Sequence, residues 1–434
     1  MVNLFESFSQ LRSQPIMVLG DFLCDRYTKG LAQRVSPEAP VIVLNGLEEQ
    51  RLAGGAGNVV FNLQALNAEV FPVGLLGEDS EGRLLRELFQ QAHIHVEGLI
   101  HSSQVQTIVK HRFLSDSQQL LRVDYETPYQ LSSELEDKII DLITEKMPFF
   151  AVIAISDYQK GFLTPRILSH TIQQARQLGL PVIVDPKGKD FNKYRGATLI
   201  KPNFQEACTA AKMTVKDPIE QVAQALLELN VSDAFLITRS EKGMAYFAQG
   251  QSSFFPVKVK EVVDVTGAGD TALAMICLAY ANKIPIAPMA ELANIASSIA
   301  IEKVGCAHVS LKDVARRIVE FTAPSKALPA VGVEVLRSLI GHHPYHFYLI
   351  DAYEQLSFGF LENLKNTLAH EPTFKKVIYC DKEAHHPLLM QILASFDTVD
   401  FIIKDQDGLR QLMASSPPAA TYHLKHGVGI VATV

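Results

Sequence analysis

The chain has 434 residues, of which 47% are hydrophobic and 20% charged, and its formal net charge is −7. This composition supports a sizeable buried core and excludes wholesale disorder. The mildly acidic balance gives no reason to expect nucleic acid as the main ligand. The longest apolar runs, 147–155 and 272–281, are about half the length that crosses a bilayer. We therefore expect neither a nucleic-acid nor a membrane partner.

The cysteines and the N-terminal residues indicate the cellular compartment of the protein. The five cysteines are scattered and never spaced C-x-x-C, which is typical of reduced thiols rather than of disulfides or a zinc site. The N-terminus has no basic segment followed by an apolar stretch, so we expect no signal peptide. The sequence predicts a cytoplasmic protein.

Short apolar runs alternate with amphipathic helical periods over the first two thirds of the chain. The predicted strands are 16–19, 70–75, 152–155, 182–184, 198–200 and 234–237. The predicted helices are 58–66, 81–91, 135–145, 165–178 and 220–229. Continuous apolar strands separated by helices favour a parallel sheet covered by helices on both faces.

Two segments break this rhythm. Residues 40–52 and 106–124 alternate between apolar and polar side chains and are rich in β-formers. We predict that they form antiparallel strands outside the main sheet, as a lid.

The best linker follows a helix-like segment near residue 320. Residues 321–330 contain two prolines and several small residues, which favour an extended connection. After it, 331–434 repeats a small α/β pattern, with helices at 334–340 and 356–368 and strands at 347–350, 376–379 and 399–403. We predict a first domain over 1–322, a linker over 323–330 and a second domain over 331–434, with the boundary near 326.

The strongest motif is Asp264-Val-Thr-Gly-Ala-Gly-Asp270, which precedes the apolar helix 271–281. Its glycines allow backbone N–H groups to converge at a helix N-terminus, which binds phosphate or stabilises a transferred phosphoryl group. Asp270 would accept a proton from a nucleophilic hydroxyl there. The alternative is an ordinary Gly-rich helix start with an aspartate cap. The motif is not a Walker A sequence, and 54–58 is not a Rossmann fingerprint.

This motif resembles the C-terminal signature of the ribokinase-like (PfkB) sugar kinases, and Gly54-Gly55 with Asn58 resembles their N-terminal signature. Further motifs are typical of one branch, the kinase half of the bifunctional heptose 7-phosphate kinase and heptose 1-phosphate adenylyltransferase of ADP-heptose synthesis. They start at Gly20, Arg34, Ser156, Asp185, Tyr194, Lys201 and Thr238. The resemblance covers about 1–320. It implies a three-layer α/β sandwich with a β lid, followed by a small Rossmann-like domain.

The resemblance also implies roles for individual residues. Asp270 would be the catalytic base, and the amides of Gly267, Ala268 and Gly269 the anion hole. Asn203 and Glu206 would lie near the phosphates of ATP and a Mg²⁺ ion with its waters. The nucleotide would contact Thr238, Ser240, Gly243 and Asn294, and the sugar Asp21, Gly54, Gly55, Asn58, Asp157 and Lys187. Glu206 as a helix-start carboxylate and Lys187 as a solvated turn residue remain alternatives.

A heptose 7-phosphate needs cationic donors at the far end of its site. The predicted lid supplies Lys110, Arg112 and Arg122, for which solvated strand charges are the alternative. We predict Arg112 and Arg122 as substrate-binding residues. The resemblance further favours a homodimer formed through exchanged lids. It leaves open whether a monovalent cation binds as well.

In the bifunctional relatives the second domain is a nucleotidyltransferase with a His-x-Gly-His motif. Aligned after the strand 347–350, only Gly359 matches, and the histidine positions are Ser357 and Phe360. Phenylalanine cannot donate a hydrogen bond to phosphate. We predict a degenerate nucleotidyltransferase-like domain without that activity. The histidines clustered after residue 331 fit surface loops, with a metal site as the alternative.

The sequence therefore predicts an ATP-dependent kinase that phosphorylates D-glycero-D-manno-heptose 7-phosphate at the anomeric hydroxyl, for the lipopolysaccharide core. Another PfkB-type kinase, acting on a ketose phosphate or a nucleoside, is the alternative enzyme. A non-catalytic scaffold is the alternative from a different class.

Overall fold

A computed structural model gives the structure of the protein. It describes residues 4–115, 118–127, 129–258, 262–303, 305–322, 327–328, 333–340, 344–350, 358–369, 374–380, 393, 399–403, 406–415, 417–425 and 428–432. The chain divides into two compact units, one over 12–310 and one that combines 1–11 with 311–434. None of the described helices is long and apolar enough to cross a membrane.

The described residues of the first unit form two sheets. Its strands are β1 (Pro15–Gly20), β2 (Phe22–Val35), β3 (Ile42–Gly55), β4 (Glu69–Gly77), β5 (Leu99–Ser102), β6 (Ile108–Ser115), β7 (Gln118–Tyr125), β8 (Val152–Ser156), β9 (Val182–Asp185), β10 (Ala197–Ile200), β11 (Ser232–Thr238), β12 (Met244–Ala248) and β13 (Gln251–Phe255). The main sheet has the order β13-β12-β11-β10-β9-β8-β1-β4-β5. Its strands from β11 to β5 are parallel, and β12 and β13 form an antiparallel edge.

Helices cover both faces of this sheet. They are α2 (Ala56–Ala65), α3 (Ser80–Gln91), α4 (Ser133–Lys146), α5 (Pro165–Gln177), α6 (Phe204–Ala210), α7 (Ile219–Glu228), α8 (Ala268–Ala281) and α9 (Ile286–Ala300), after α1 (Leu4–Ser9) of the second unit. The buried side chains of α4, α5 and α7 belong to one hydrophobic cluster, which also contains Met17 and Leu19 of β1. Helix α8 is apolar on nearly every side and is therefore buried, in contact with α2, α9 and β8.

The lid is a four-stranded sheet of order β3-β2-β6-β7. It confirms the prediction that 40–52 and 106–124 form strands outside the main sheet. The lid also contains β2, which the sequence analysis did not identify, and β2 pairs with β6 in parallel rather than antiparallel fashion. The other two pairs are antiparallel.

The second unit is a smaller α/β structure. Its strands are β14 (Ala327–Leu328), β15 (Tyr345–Ile350), β16 (Lys375–Cys380), β17 (Phe401–Ile403), β18 (Ala420–Lys425) and β19 (Val428–Ala432), and its further helices are α10 (Leu311–Thr322), α11 (Val333–Ile340), α12 (Phe358–Ala369) and α13 (Gln406–Ser415). The sheet order is β14-β17-β16-β15-β18-β19, with β19 antiparallel. The strand order β17-β16-β15-β18 is that of a doubly wound sheet.

Each predicted strand and helix has a counterpart among these elements, and the predicted α/β class with a lid is confirmed, but β2, β5, β12 and β13 were not predicted. The compact units divide at 310/311, because α10 groups with the second unit. The predicted boundary at 322/323 stays a prediction. Of the predicted linker only 327–328 belong to the described residues. Ser357 lies outside the described residues. For Gly359 and Phe360 only the helical backbone is described.

Candidate active site

Five side chains stand at the carboxyl ends of five neighbouring parallel strands. Thr238 ends β11, Lys201 follows β10, Asp185 ends β9, Asp157 follows β8 and Asp21 follows β1. Open α/β sheets bind their ligands at this edge. The motif analysis quoted Asp185 and Lys201 but did not identify them as site residues. Their position directly after buried strands is the signal that could have found them.

A cavity of about 550 Å³ opens at this edge of the sheet. Many of the predicted site residues line it: Asp157, Lys187, Asn203, Glu206, Thr238, Ser240, Gly243, Gly267, Ala268, Gly269, Asp270 and Asn294. The predicted residues Asp21, Gly54, Gly55, Asn58, Arg112 and Arg122 are not part of its wall. The cavity therefore combines the nucleotide-side and catalytic predictions with Asp157 and Lys187 of the sugar-side set, whereas the other sugar-side predictions are not part of its wall.

The start of α8 needs glycine for two reasons. Gly267 has φ 79°, a left-handed conformation that side chains rarely adopt, and it is the residue before the first helical position. A Cβ atom at Gly267 would also lie only 2.6 Å from the Asn58 Nδ2 atom. The N-terminus of α8, with its partial positive charge, is thereby held at the cavity wall. The amide of Ala268 donates to the carbonyl of Val265 at 3.3 Å, so this predicted anion-hole donor is already used by the turn.

Asp270 lies in the first turn of α8 and is buried. The Asn58 side-chain amide donates to its Oδ2 atom and the Tyr158 hydroxyl to its Oδ1 atom, each at 2.8 Å. Burial above all, and the negative charge of Asp185, raise the pKa of Asp270 to about 7, although the two hydrogen bonds and Lys201 act in the opposite direction. A carboxylate with a pKa near neutral pH is suited to general-base chemistry.

Lys201 and Asp185 form an ion pair of 3.1 Å beside the start of α8. The Lys201 side chain is only 3% exposed. A Cβ atom at Gly269 would lie 3.8 Å from both the Lys201 Nζ atom and the Asp185 Oδ2 atom. Burial raises the pKa of Asp185 in spite of the lysine. The pair therefore places a buried cation next to the glycine predicted to bind phosphate.

Asn203 and Glu206 start α6 with a capping box. The Asn203 side chain accepts from the Glu206 amide at 2.9 Å, and the Glu206 carboxylate accepts from the Asn203 amide at 3.0 Å. The same carboxylate forms an ion pair of 2.6 Å with Lys187. Two residues predicted to face different substrates therefore contact each other across the cavity wall.

The cavity also has an apolar wall that motif spacing did not predict. Met244, Val257, Val262 and Ile301 line it, next to Asn294. The Asn294 side-chain amide donates to the carbonyl of Phe255 at 2.9 Å. These apolar residues come from separate elements, so no local sequence pattern marks them.

The carboxylate of Asp157 is used within the protein. It accepts hydrogen bonds of 2.6 Å from the Lys193 ammonium, the Tyr194 hydroxyl and the Gln159 amide. Burial, together with the negative charge of Asp157, raises the pKa of this Tyr194 hydroxyl well above its usual range. Asp157 thus anchors the segment after β8 as well as lining the cavity.

Asp21 also holds this segment. Its buried carboxylate accepts from the backbone amides of Tyr158 at 3.0 Å, Lys160 at 3.1 Å and Phe162 at 3.3 Å. Burial, and then the charge of Asp157, raise the pKa of Asp21 to about 6, against the effect of the three amides. Its observed contacts orient the loop that carries Tyr158, and direct binding of a sugar hydroxyl stays a prediction.

The pair Gly54-Gly55 ends β3 where the lid joins the body. A side chain at Gly54 would collide with the Asp25 carboxylate, and one at Gly55 would approach the Asp21 carbonyl to 2.6 Å. Gly55 also has φ 60°. Close packing therefore accounts for both glycines, beside their predicted role with the sugar.

The predicted phosphate donors of the lid have carboxylate partners within the chain. Arg112 forms a buried ion pair with Asp25, and Arg122 forms an ion pair of 2.9 Å with Asp124. Lys110 lies 4.9 Å from the centre of the Tyr158 ring, and burial lowers its pKa. The role of Arg112 and Arg122 towards a substrate phosphate stays a prediction.

Comparison with known proteins agrees with this geometry. The family model described as pfkB family carbohydrate kinase matches residues 15–313. The bifunctional protein HldE of Geotalea uraniireducens is 35% identical over 430 residues, which are 95% of this chain and 88% of that protein. The HldE proteins of Citrifermentans bemidjiense and Campylobacter jejuni are each 40% identical to this chain, over 73% and 72% of its length. The chain spans only 65% and 66% of the length of these two relatives.

Solved structures share the fold of the first unit. The Arabidopsis thaliana ribokinase complexed with ribose and ATP has a TM-score of 0.57 and 21% identity, over 71% of this chain and 99% of that one. Phosphofructokinase-2 from Escherichia coli in complex with potassium has a TM-score of 0.60 and 15% identity, over 72% and 100%. These likenesses establish the ribokinase-like fold. Together with the family match and the identity to HldE proteins, they make this chain a member of the pfkB family of carbohydrate kinases.

Proposed function

We propose that the first unit transfers the γ-phosphoryl group of ATP to the anomeric hydroxyl of D-glycero-D-manno-heptose 7-phosphate. The products would be heptose 1,7-bisphosphate and ADP, on the route to ADP-heptose for the lipopolysaccharide core. The observation that carries the proposal is Asp270, a buried carboxylate with a pKa of about 7 at the N-terminal end of α8. A base next to a positive helix end suits phosphoryl transfer to a hydroxyl.

In this reaction the anomeric oxygen attacks the γ-phosphorus in line. The oxygen–phosphorus bond to the acceptor forms, the bond to the leaving ADP oxygen breaks, and Asp270 takes the hydroxyl proton. The N-terminus of α8, through the amides of Gly267 and Gly269, would stabilise the equatorial oxygens, and Lys201 lies next to Gly269 to add positive charge. Closure of the lid would exclude water as a competing nucleophile.

The nucleotide would occupy the cavity of about 550 Å³. Its apolar wall with Asn294 suits a base, and Thr238, Ser240 and Gly243 would line the same site. The carboxylates and amide oxygens at the other end are donors that Mg²⁺ prefers. Among the described residues no group of three or more His, Cys, Asp or Glu side chains could hold a metal. Glu206 would therefore bind the ion through water, and the ion would neutralise charge on the phosphates.

The acceptor assignment depends on the resemblance of ordered motifs to the heptose kinases and on relatives that are named bifunctional protein HldE. Asp157, Lys187, Asp21, Gly54, Gly55 and Asn58 would surround the sugar. Because the Asn58 side chain also binds Asp270, a sugar held by Asn58 would lie beside the base.

The second unit would be a nucleotidyltransferase-like domain without adenylyltransferase activity, since both histidine positions of the motif are replaced, by Ser357 and Phe360. The test is direct. Incubation of heptose 1-phosphate with ATP should yield no nucleotide-linked heptose, and detection of ADP-heptose by mass spectrometry would overturn this part.

The active protein would be a cytoplasmic homodimer. The five cysteines are buried free thiols, which fits a reducing compartment. The outer ends of β2 and β3 expose Val35, Ile42 and Leu47, at 62%, 59% and 68%. Such apolar side chains on a lid suit contact with the lid of a second copy. Sedimentation of the full chain should give the mass of a dimer, and a monomer at micromolar concentration would argue against it.

The experiment that tests the kinase assignment is a coupled ATP-consumption assay with Mg²⁺. Heptose 7-phosphate, fructose 6-phosphate, ribose and adenosine are compared at equal concentrations, and turnover is expected with the heptose phosphate alone. Asp270→Asn should lower kcat by about 10²–10⁴-fold with the fold intact, and Asp141→Asn, at an exposed position of α4, serves as control. Preference for fructose 6-phosphate would refute the acceptor, and near-normal turnover of the asparagine variant would refute the base.

A further inference from the structure

Lys110 is a cation of the lid to which the proposed function gives no role. It belongs to β6, and its ammonium lies 4.9 Å from the centre of the Tyr158 ring. Tyr158 belongs to the segment after β8, and its hydroxyl donates to Asp270 at 2.8 Å. The half-buried Lys110 side chain therefore points from the lid towards the body, beside the residue that binds the candidate base.

The other basic side chains around the candidate active site are mostly engaged by carboxylates of the chain. Ion pairs with Asp or Glu are formed by Arg112, Arg122, Lys160, Lys187, Lys193 and Lys201. Within the part of the chain that the structure describes, Lys110 forms no ion pair with a carboxylate, and the ring of Tyr158 is its contact. An external anion can therefore bind Lys110 without displacing a carboxylate.

The two aspartates beside Lys110 in the lid sheet have arginine partners. Asp25 of β2 and Asp124 of β7 lie opposite Lys110 in the strand register. The Asp25 carboxylate accepts from Arg112. The Asp124 carboxylate accepts two hydrogen bonds, of 2.9 and 3.0 Å, from the guanidinium of Arg122. Because charge-assisted pairs of this kind are strong, both carboxylates are held by the arginines rather than by the lysine.

The surroundings of Lys110 are electrostatically unfavourable for a lone cation. Burial lowers the pKa of Lys110, and the charges of Lys160, Arg112 and Arg122 act in the same direction, although Asp25 opposes them. A cation removed from water is costly unless an opposite charge joins it. A phosphate monoester carries close to two negative charges at neutral pH and offers several acceptor oxygens. Such a group is the matched ligand for an ammonium in this position.

We propose that Lys110 determines acceptor specificity, because its ammonium binds the phosphate group of a phosphorylated sugar. The inference rests on the proposed function, in which the anomeric hydroxyl of the sugar lies at Asp270. Heptose 7-phosphate carries its phosphate at the end of the sugar opposite the anomeric carbon, so this phosphate must bind at some distance from the base. The Tyr158 side chain spans such a distance, with its hydroxyl at Asp270 and its ring under Lys110.

The γ-phosphate of ATP is the other phosphate that would lie near the base. Lys187 and Lys201 are the cations in the described wall of the nucleotide cavity, and Lys110 is not part of that wall. The position of Lys110 on the lid therefore favours the phosphate of the acceptor over that of the nucleotide. The measurements below distinguish the two.

Calorimetric titration of the full chain without ATP tests the proposal without any turnover. The two ligands are heptose 7-phosphate and the unphosphorylated D-glycero-D-manno-heptose. Lys110→Gln should weaken binding of the phosphorylated sugar by about tenfold or more, because a charge-assisted hydrogen bond is lost, and should leave binding of the unphosphorylated sugar unchanged. Lys110→Arg keeps the charge and should retain most of the preference. Lys138→Gln, at an exposed position of α4, is the matched control.

Three results of the titration would overturn the proposal. The first is an unchanged affinity of Lys110→Gln for heptose 7-phosphate. The second is an equal loss for both sugars, which would mean that Lys110 acts through the Tyr158 ring or the fold. The third is a wild type that binds the phosphorylated sugar no more tightly than the unphosphorylated one. If the glutamine variant does not fold, Lys110→Met takes its place, because an apolar side chain keeps the packing on Tyr158.

Steady-state kinetics separate the acceptor phosphate from that of ATP. Lys110→Gln should lower kcat/KM for heptose 7-phosphate by about tenfold or more, with KM for ATP unchanged. A rise in KM for ATP, or an equal loss of turnover with the unphosphorylated heptose, would assign Lys110 to the γ-phosphate and overturn the proposal. A wild type that binds heptose 7-phosphate but does not turn it over would refute the proposed function, while the titration still decides the role of Lys110.

Discussion

Tyr158→Phe is the sharpest perturbation of the candidate active site. The change removes the hydroxyl that donates to Asp270 at 2.8 Å and keeps the ring that lies 4.9 Å below the Lys110 ammonium. That hydrogen bond favours the ionised carboxylate, so its loss must raise the pKa of Asp270. The other groups that face Asp270, which are Asn58, Asp185 and Lys201, stay in place.

The size of the shift follows from the contact. A hydrogen bond to a charged group contributes about 1.5–3 kcal/mol, and one pKa unit corresponds to about 1.4 kcal/mol. Starting from about 7, the pKa of Asp270 should therefore rise by about one to two units. A general base must be ionised, so activity is lost as the pH falls through this pKa. The acid limb of the profile should move to higher pH.

The assay measures kcat/KM for the acceptor between about pH 5.5 and 9.5, in steps of about half a pH unit. In the wild type kcat/KM should rise with an apparent pKa of about 7, and in Tyr158→Phe the midpoint should lie at least about one unit higher. Tyr129→Phe, another tyrosine of the first unit with a raised pKa, is the control because it does not bond to Asp270. An acid limb at the same pH in both variants would refute the reasoning.

Two further predictions concern stability. Lys201→Met leaves the half-buried Asp185 without its buried partner, so the free energy of unfolding should fall by about 1–3 kcal/mol in urea titration. Adding Asp185→Asn should restore part of this loss, and an unchanged midpoint for the single variant would contradict the burial argument. Gly267→Ala puts a Cβ atom at φ 79° and 2.6 Å from Asn58, so we expect a loss of at least about 1–2 kcal/mol. A thermal midpoint equal to that of the wild type would mean that the turn relaxes freely.

Much of the fold could be predicted from local pattern. Residues that are close in the chain are enough to predict the apolar strands β1, β8, β9 and β10. The same holds for the helical periods of α3 and α5. The start of α8 is equally local, because Gly267 and Gly269 allow a turn that other residues resist. Strand β2 was missed because it includes several charged residues and a glycine, and because its parallel partner β6 is far away in sequence.

The candidate site was predictable as a set of residues but not as a set of contacts. The motifs singled out Asp270, Asn203 and Glu206, and the structure brings them to one cavity. Yet nothing in the motifs indicates that Glu206 pairs with Lys187, or that Asp21 binds three backbone amides. The motifs contained Lys201 and Asp185 without a role for either, and only the fold shows the ion pair that they form beside α8.

The sequence by itself determined most elements of the main sheet, the glycine turn before α8 and which side chains are able to do chemistry. Only the tertiary structure decided which of those side chains neutralise one another. Arg112 meets Asp25 across 87 positions of the chain, and Asn58 meets Asp270 across 212. Periodicity and turn chemistry act over a few residues, whereas ion pairs, burial and the pKa of a carboxylate depend on what the fold packs around it.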